Sequence, residues 1–233
     1  LSDWVGERDL RGSGGSDADA LLQGDFSSLP RLPTREYSAA SCPREGHLKL
    51  IVRQQREPDG GLGLGSGWLT SHCVPGERFF ARLRSNVNCH TPDHSRPMLL
   101  IGAGSGLAGL RAQLAERAAQ VNSGQVWLIF GERCPDTDQP LAQDLDTWMR
   151  QGLVSRCDRI HSRSGRTGPR YVQDFLAAQA DEVRSFISRG ADIYVCGRRA
   201  GMGEGVDRVL NLVLGEAALE SLRDKGRFRR DLY

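Results

Sequence analysis

A glycine-rich turn is the first feature of the sequence that could do chemistry. Residues 101–114 read IGAGSGLAGLRAQL; they follow an apolar stretch that predicts a buried strand, and they open a predicted helix. Gly102, Gly104 and Gly106 let backbone amides approach a pyrophosphate, and a helix N-terminus adds partial positive charge there. A tight strand-to-helix turn that binds no ligand is the alternative. The acidic residue that an NAD ribose requires about twenty positions later is not clearly placed.

A basic loop offers a second phosphate site. Residues 161–173 read HSRSGRTGPRYVQ and follow another predicted strand. Several guanidinium groups beside hydroxyls suit a phosphomonoester, the group that distinguishes NADP from NAD. An exposed basic loop without a ligand is the alternative. The candidate ligands in this loop are Ser162, Arg163, Arg166, Arg170, Tyr171 and Gln173.

The first half of the chain contains two weaker candidates. Residues 35–41 read REYSAAS, in which arginine can hold a pyrophosphate and tyrosine can stack on a flat ring. Residues 63–69 read GLGSGWL, in which glycine amides and a serine hydroxyl can cradle phosphates. Taken singly, each segment is equally typical of an ordinary strand or turn.

Two kinds of element must position these candidates. Alternating apolar and polar residues over 35–41 and 47–54 predict antiparallel strands, and a third strand fits 78–83. Residues 1–30, around the stretch RGSGGSDAD, predict two short helical pieces and a flexible turn. After Pro97, strands and helices alternate, which indicates βαβ crossovers and a parallel, doubly wound sheet. The predicted strands are 98–101, 125–130, 154–161 and 191–196, and the predicted helices are 106–120, 139–151, 171–188 and 202–215.

The doubly wound sheet would bring the phosphate candidates of the second half together. In such a sheet the loops that follow successive strands gather at the carboxyl edge. We therefore expect 102–106, 131–134, 162–173 and 196–202 to line one crevice.

Composition excludes several classes of function. The 233 residues carry a net charge of +2, so no global field draws the chain to nucleic acid or anionic lipid. The longest apolar stretches fall far short of the ~20 residues that a membrane span needs. The six cysteines include no CxxC pair, which favours reduced thiols and a cytoplasmic location. No metal site is expected, because the spacing of Cys73, Cys89, His90 and His94 fits no zinc template.

Together, these motifs resemble the ferredoxin-NADP reductase superfamily, and most closely its diflavin branch, which contains the sulfite reductase flavoprotein and the NADPH-cytochrome reductases. The motifs occur in family order. REYS at 35–38 resembles the FAD motif Arg-x-Tyr-Ser, and GLGS at 63–66 resembles the FAD pyrophosphate turn. The matches on the NADP side are GAGSG at 102–106, SR at 162–163, YVQ at 171–173, IYVCG at 193–197 and RFRRDLY at 227–233, which resembles a tail ending in an aromatic residue.

The resemblance implies an α/β plus all-β fold and an oxidoreductase activity. A partial antiparallel FAD-binding barrel over 31–95 would precede a doubly wound parallel NADP-binding domain over 96–233, with 1–30 as the remnant of a helical connecting segment. NADPH would give hydride to FAD, which would pass electrons to an FMN domain, a flavodoxin-like protein, or a haem or iron-sulfur partner. Two alternatives stay open: a stand-alone NADPH:acceptor reductase, for example for ferric chelates, and a non-catalytic NADP-binding docking module.

The resemblance also implies roles for individual residues. Ser38, Cys196 and Asp231 match the polar trio that aligns the rings and stabilises charge on the hydride path. Tyr233 would cover one flavin face and move aside for the nicotinamide. The implied FAD contacts are Arg35, Glu36, Tyr37, Ser38, Ile51, Val52, Arg53, Gly63, Leu64, Gly65, Ser66 and Tyr233. The implied NADP contacts are Gly104, Ser105, Gly106, Arg133, Ser162, Arg163, Arg170, Tyr171, Gln173 and Cys196.

Five positions depart from the family pattern around the nucleotide. They are Ala103 and Gly109 in place of prolines, Pro169 in place of a lysine, Arg198 in place of an acidic residue, and Gly205 in place of an aspartate. The charge of the missing lysine must therefore come from Arg166 or Arg170.

A further departure lies at the front of the chain, where only 34 residues precede Arg35. In the family, several barrel strands come before this motif. We therefore expect either the C-terminal portion of a longer reductase or a shortened relative with an incomplete barrel. Its unpaired strand edges would invite aggregation or a partner that completes the barrel.

Overall fold

The structure is a computed structural model and describes residues 4–5, 8–9, 32–91, 93–135, 141–163 and 167–233. The chain divides into two compact units, Leu1–Glu36 and Tyr37–Tyr233. In the first unit, β1 (Trp4–Val5) pairs antiparallel with β2 (Arg8–Asp9), so the helical prediction is wrong at these four residues. Residues 10–31 lie outside the described residues, and the assignment of 1–30 as a connecting segment stays a prediction.

The second unit contains a five-stranded, fully parallel sheet with the strand order β5-β4-β3-β6-β7. Its strands are β3 (Met98–Ala103), β4 (Val126–Glu132), β5 (Val154–His161), β6 (Asp192–Gly197) and β7 (Phe228–Leu232). The three inner strands are almost wholly buried, which explains their continuous apolar sequences. The predicted parallel α/β architecture is confirmed, and β7 adds a strand that the sequence pattern did not predict.

Helices cover both faces of this sheet. The helices are α1 (Leu64–Gly67), α2 (Leu107–Ala118), α3 (Ala142–Arg150), α4 (Val172–Ala178), α5 (Ala180–Ser188), α6 (Glu204–Leu214) and α7 (Glu216–Asp224). Leu99 and Ile101 of β3 face α4 to α7, while Met98 and Leu100 face α2 and α3. The single helix predicted over 171–188 is wrong, because the backbone leaves helical geometry at Gln179.

The described residues between 37 and 95 contain little regular structure. One isolated bridge, Ala39 to Leu50, replaces the strands predicted over 35–41 and 47–54, and a second isolated bridge joins Arg56 to Leu62. The strand predicted over 78–83 is wrong: this segment has no ladder partner among the described residues, and Phe80 is fully exposed. A strand needs a neighbour that satisfies its backbone groups, and alternation alone does not supply one. The barrel part of the fold prediction is therefore not shown.

Among the described residues, no helix combines the length and the apolar character that crossing a membrane would require. The six cysteines are all free thiols, and Cys42 and Cys196 are buried.

Candidate functional site

The carboxyl edge of the sheet brings several sequence candidates together. A Cβ placed on Gly131, at the end of β4, would lie 3.0 Å from Val172 Cγ1 and 3.3 Å from Ala103 Cβ. One placed on Gly197, at the end of β6, would lie 3.1 Å from the Ala103 carbonyl oxygen. The loops after β3, β4 and β6 and the start of α4 therefore meet. The winding reverses between β3 and β6, and this switch point is where doubly wound sheets form a ligand crevice.

The phosphate turn lies at this switch point. Gly104–Gly106 form a 3-10 turn that leads into α2. Gly104 has a φ of +59°, and no heavy atom lies within 4 Å of the position that its Cβ would take, so the turn is open on this side. Gly106 is the opposite case, because its Cβ would lie 2.1 Å from the carbonyl oxygen of Cys196. The turn is thus pressed against β6 and open toward the crevice, which fits a bound phosphate.

Ser105 and Tyr233 meet across the crevice. The Tyr233 hydroxyl donates to Ser105 Oγ over 2.6 Å. The backbone of Tyr233 is held at the end of β6, since its N–H donates to the Gly197 carbonyl and its carbonyl accepts from the Arg199 N–H. Burial raises the pKa of the Tyr233 phenol above its ordinary value, although the side chain remains half-exposed.

The predicted polar trio forms one hydrogen-bonded cluster. Asp231 of β7 lies directly beside Cys196 of β6 in the sheet register. Asp231 Oδ2 accepts from the Ser38 hydroxyl over 2.8 Å and from the Cys196 thiol over 3.6 Å. Burial, and then the neighbouring Asp231 charge, raise the pKa of Cys196 well above its ordinary value, so the thiol stays protonated. Gly109 leaves room for this sulfur, because a Cβ there would lie 2.8 Å from it.

The basic loop gathers at the ends of β4 and β5. The Arg170 guanidinium donates to the Ser162 carbonyl over 3.0 and 3.3 Å, and the Arg163 N–H donates to the Arg133 carbonyl over 2.8 Å. The three arginines are exposed and Ser162 is half-buried. These contacts bring the four residues into neighbouring loops, and arginines with a serine hydroxyl are the groups that suit a phosphomonoester. Arg166 lies outside the described residues.

Two further predicted NADP contacts flank this loop. Tyr171 is half-exposed, and its N–H donates to Asp174 at the start of α4. Gln173 packs on Gly205, where a Cβ would lie 3.1 Å from the Gln173 side chain. Gly205 stands where the family pattern has an aspartate, and the glycine leaves space for the glutamine.

The residues predicted on the flavin side are only partly brought together. Ser66 Oγ accepts from the Gln55 N–H over 2.9 Å, which fixes the turn that holds the buried Gly63. Arg53 pairs with Glu132 at the end of β4 over 2.7 Å. The other predicted members divide as follows: Ile51 packs on the apolar cluster, Val52 is half-buried, Leu64 and Gly65 lie in α1, Tyr37 is exposed, and Arg35 and Glu36 are exposed residues of the first unit.

One residue that holds the site together was missed by the sequence reasoning. Arg111 of α2 is buried and donates to the Ala40 carbonyl over 2.6 Å, to both carboxylate oxygens of Glu45, and to Asp144 over 2.8 Å. The hydrogen bond from Arg111 lowers the pKa of Glu45 to about 2. Its position on the apolar face of α2, between Leu107 and Leu114, was the available signal.

Comparisons with known proteins show what this chain is similar to. Residues 100–208 match the family model of the oxidoreductase NAD-binding domain. This range runs from within β3 to beyond β6 and therefore includes the phosphate turn, the basic loop and Cys196.

Curated relatives sharpen the assignment. The sulfite reductase [NADPH] flavoprotein alpha-component of Mannheimia succiniciproducens is 31% identical over 225 residues, which cover 89% of this chain and 38% of that protein. Its counterpart from Salmonella arizonae is 32% identical over 229 residues (93% and 38%), and that from Neisseria meningitidis serogroup C is 32% identical over 216 residues (88% and 36%). The chain thus spans less than two fifths of the length of these relatives. Its resemblance to the diflavin branch of the ferredoxin-NADP reductase superfamily is confirmed.

Proposed function

We propose that this chain is the FAD- and NADPH-binding region of an NADPH-dependent flavoprotein reductase. The observation that carries the proposal is the meeting of Ser38, Cys196 and Asp231 next to the phosphate turn. These residues come from three distant parts of the sequence, so local structure does not account for their contact. The family model and the curated relatives support the same class.

Two cradles support the NADP half of the proposal. The turn Gly104–Gly106 would bind the pyrophosphate through backbone amides and the Ser105 hydroxyl, aided by the partial positive charge at the start of α2. Arg133, Arg163 and Arg170, together with Ser162, would bind the 2′-phosphate through charge-assisted hydrogen bonds. Tyr171 and Gln173 border this cluster, and we assign them to the adenosine end.

The FAD half places Tyr37, Ser38, Ile51 to Arg53, the turn at 63–66 and Tyr233 around the flavin. It is supported by the hydrogen bond of Ser38 to Asp231 and by the hydrogen bond of Ser66 that fixes the 63–66 turn. Bound flavin would supply the electron chemistry, taking two electrons from the nicotinamide and releasing them one at a time.

The trio would align the reacting rings and stabilise charge. Asp231 accepts from both Ser38 and Cys196, so the hydroxyl and the thiol are held in fixed orientations at the edge of the crevice. The Asp231 carboxylate would stabilise the positive charge that a nicotinamide ring gains when NADPH is oxidised. The neutral Cys196 thiol would border the ring without adding a second negative charge.

A separate electron acceptor completes the proposal. The relatives are named alpha-components, which supports a further protein as the acceptor. We propose a carrier domain such as an FMN domain, or a haem or iron-sulfur protein.

A second candidate function is a module that binds NADP and holds no FAD. It is favoured by one observation: the described residues between 37 and 95 form two isolated bridges and no strand. Under this alternative the NADP crevice is retained, while the flavin-side residues do not form a common surface.

Calorimetric titration of the purified chain with NADP⁺ and NAD⁺ tests the NADP half. We expect NADP⁺ to bind more tightly, and Arg170→Ala to weaken NADP⁺ at least about tenfold with little effect on NAD⁺, because a charge-assisted hydrogen bond is lost. Arg150→Ala, which removes an exposed arginine of α3, is the matched control and should bind as the original chain does. Equal affinity for both nucleotides in the original chain would contradict the proposal.

Reconstitution with FAD or with FMN, followed by gel filtration, tests the flavin half. Co-elution of absorbance at about 450 nm with the protein after incubation with FAD supports the reductase. A colourless protein that still binds NADP⁺ supports the docking module instead. Retention of FMN in preference to FAD would contradict the assignment of the flavin.

A further inference from the structure

Tyr233 lies across the switch-point crevice. Its backbone is anchored at the end of β6 through Gly197 and Arg199, and its hydroxyl reaches the β3 turn at Ser105 over 2.6 Å. The crevice between β3 and β6 is where a nucleotide enters a doubly wound sheet. The Tyr233 residue therefore reaches from the β6 side of the crevice to the β3 side.

Ser105 is the residue at which this contact matters most. It supplies the hydroxyl of the turn GAGSG, between the open Gly104 and the tightly packed Gly106. A phosphate bound to the turn needs the space above Gly104 and the hydrogen bond of Ser105. The phenol oxygen, at hydrogen-bonding distance from Ser105 Oγ, occupies the approach to that hydroxyl.

We propose that Tyr233 blocks the pyrophosphate site through the hydrogen bond from its hydroxyl to Ser105, and we call this arrangement the strap. A nucleotide with a pyrophosphate must break this hydrogen bond, whereas a nucleotide with a 2′-phosphate alone need not. The inference rests on the proposed NADP site. It makes Tyr233 a selectivity residue for the phosphate groups of the ligand, independently of any stacking on flavin.

Two nucleotides without a nicotinamide ring separate the effects. 2′-AMP carries the 2′-phosphate without a pyrophosphate, and 2′-phospho-ADP-ribose carries both groups. The Tyr233→Phe variant keeps the aromatic ring and removes only the hydrogen bond to Ser105. By calorimetric titration of the whole chain, we expect it to bind 2′-phospho-ADP-ribose about three- to tenfold more tightly, the size expected for one neutral hydrogen bond. Its affinity for 2′-AMP should not change.

A double-mutant cycle with Ser105→Ala identifies the partner. In the Ser105→Ala background, Tyr233→Phe should no longer tighten the binding of 2′-phospho-ADP-ribose, because the hydrogen bond between the two side chains is already lost. As a direct readout, the NMR signal of the Tyr233 ring should shift on addition of 2′-phospho-ADP-ribose and remain in place with 2′-AMP.

The outcomes distinguish two failures. If neither nucleotide binds the original chain, the NADP site itself is wrong. If both bind and Tyr233→Phe leaves the affinity for 2′-phospho-ADP-ribose unchanged, the strap is wrong. Weaker binding of 2′-phospho-ADP-ribose by Tyr233→Phe would also overturn it, because the hydroxyl would then be a ligand contact.

Discussion

The parallel sheet and the preceding segment, 37–91, differ in what holds their backbones in place. In the sheet, parallel ladders join all five strands, and the three inner strands are buried between two layers of helices. In the segment, two isolated bridges, α1 with the helical turn that follows it, and short 3-10 turns provide the regular structure of the described residues. Side chains of the sheet domain anchor it instead: Arg111 on Ala40 and Glu45, Asp231 on Ser38, Glu132 on Arg53 and Gln113 on Cys89.

The two regions also differ in exposure. Apolar side chains of the sheet domain are mostly buried, whereas several large ones in the segment are exposed. The exposed large apolar residues between 74 and 87 are Val74, Phe79, Phe80, Leu83 and Val87. The sheet thus carries its own core, and the segment is held by a few polar contacts together with the packing of Cys42 and Ile51 on that core. Changes in the sheet should therefore affect the whole fold, and changes in the anchors should affect the segment first.

The largest expected effect tests the sheet. Gly106→Ala would place a methyl group 2.1 Å from a backbone oxygen of β6, so either the turn or the strand must move. We expect the free energy of unfolding to fall by about 3 kcal/mol, measured by urea denaturation. Gly104→Ala is the matched control: its Cβ meets no atom within 4 Å, and only the left-handed backbone costs about 1 to 2 kcal/mol. Equal losses for both variants would contradict the close packing of the turn on β6.

A smaller effect is expected at the main anchor of the segment. Arg111→Met leaves the Ala40 carbonyl and two carboxylates without their guanidinium, and we expect a loss of about 2 kcal/mol, because the carboxylates are partly solvated. Limited proteolysis should cut faster within 74–87, while hydrogen exchange in β3 and β6 stays slow. Arg56→Met is the control, because it removes an exposed arginine whose guanidinium donates within the segment, to the Gly60 carbonyl. Uniformly faster exchange in the sheet would show that the two regions are not separable.

The smallest effect is a dependence on pH. Arg111 holds the folded-state pKa of Glu45 at about 2, below its ordinary 4.5. A lowered carboxyl pKa stabilises the folded state above about pH 4.5, and this stabilisation is lost as the pH falls toward 2. Glu45→Gln should therefore show a shallower decline in the free energy of unfolding between neutral pH and about pH 3 than the original chain. Parallel declines for the two proteins would mean that other groups cause the acid sensitivity.

The sequence predicted the sheet better than the segment for a physical reason. Burial on both faces gives β3, β4 and β6 continuous apolar runs, and these indicate strands without knowledge of their neighbours. Strand β7 was missed because only the ends of its sequence FRRDL, Phe228 and Leu232, are apolar, and such a short edge strand forms only beside β6. Residues 78–83 are richer in apolar side chains, yet they have no ladder partner among the described residues, so composition misled there.

The site shows the same division. Glycine turns and basic loops are local in sequence, so the phosphate candidates could be predicted from their motifs. The contact between Arg111 and Glu45 could not be predicted, because the two residues are 66 positions apart and an arginine on a helix is usually solvated. The break at Gln179 also has no sequence signal, since the surrounding alanine, glutamine and acidic residues favour a continuous helix.

The contact of Gly106 with the Cys196 carbonyl has a consequence for engineering this chain. No side chain separates the turn from β6, so a substitution that reshapes the turn displaces the thiol beside Asp231 as well. In the described part of the chain, the hydrogen bonds of the exposed Arg133, Arg163 and Arg170 lie at the ends of β4 and β5 and do not involve Cys196. Redesign of nucleotide preference should therefore begin with these three arginines and leave the turn untouched.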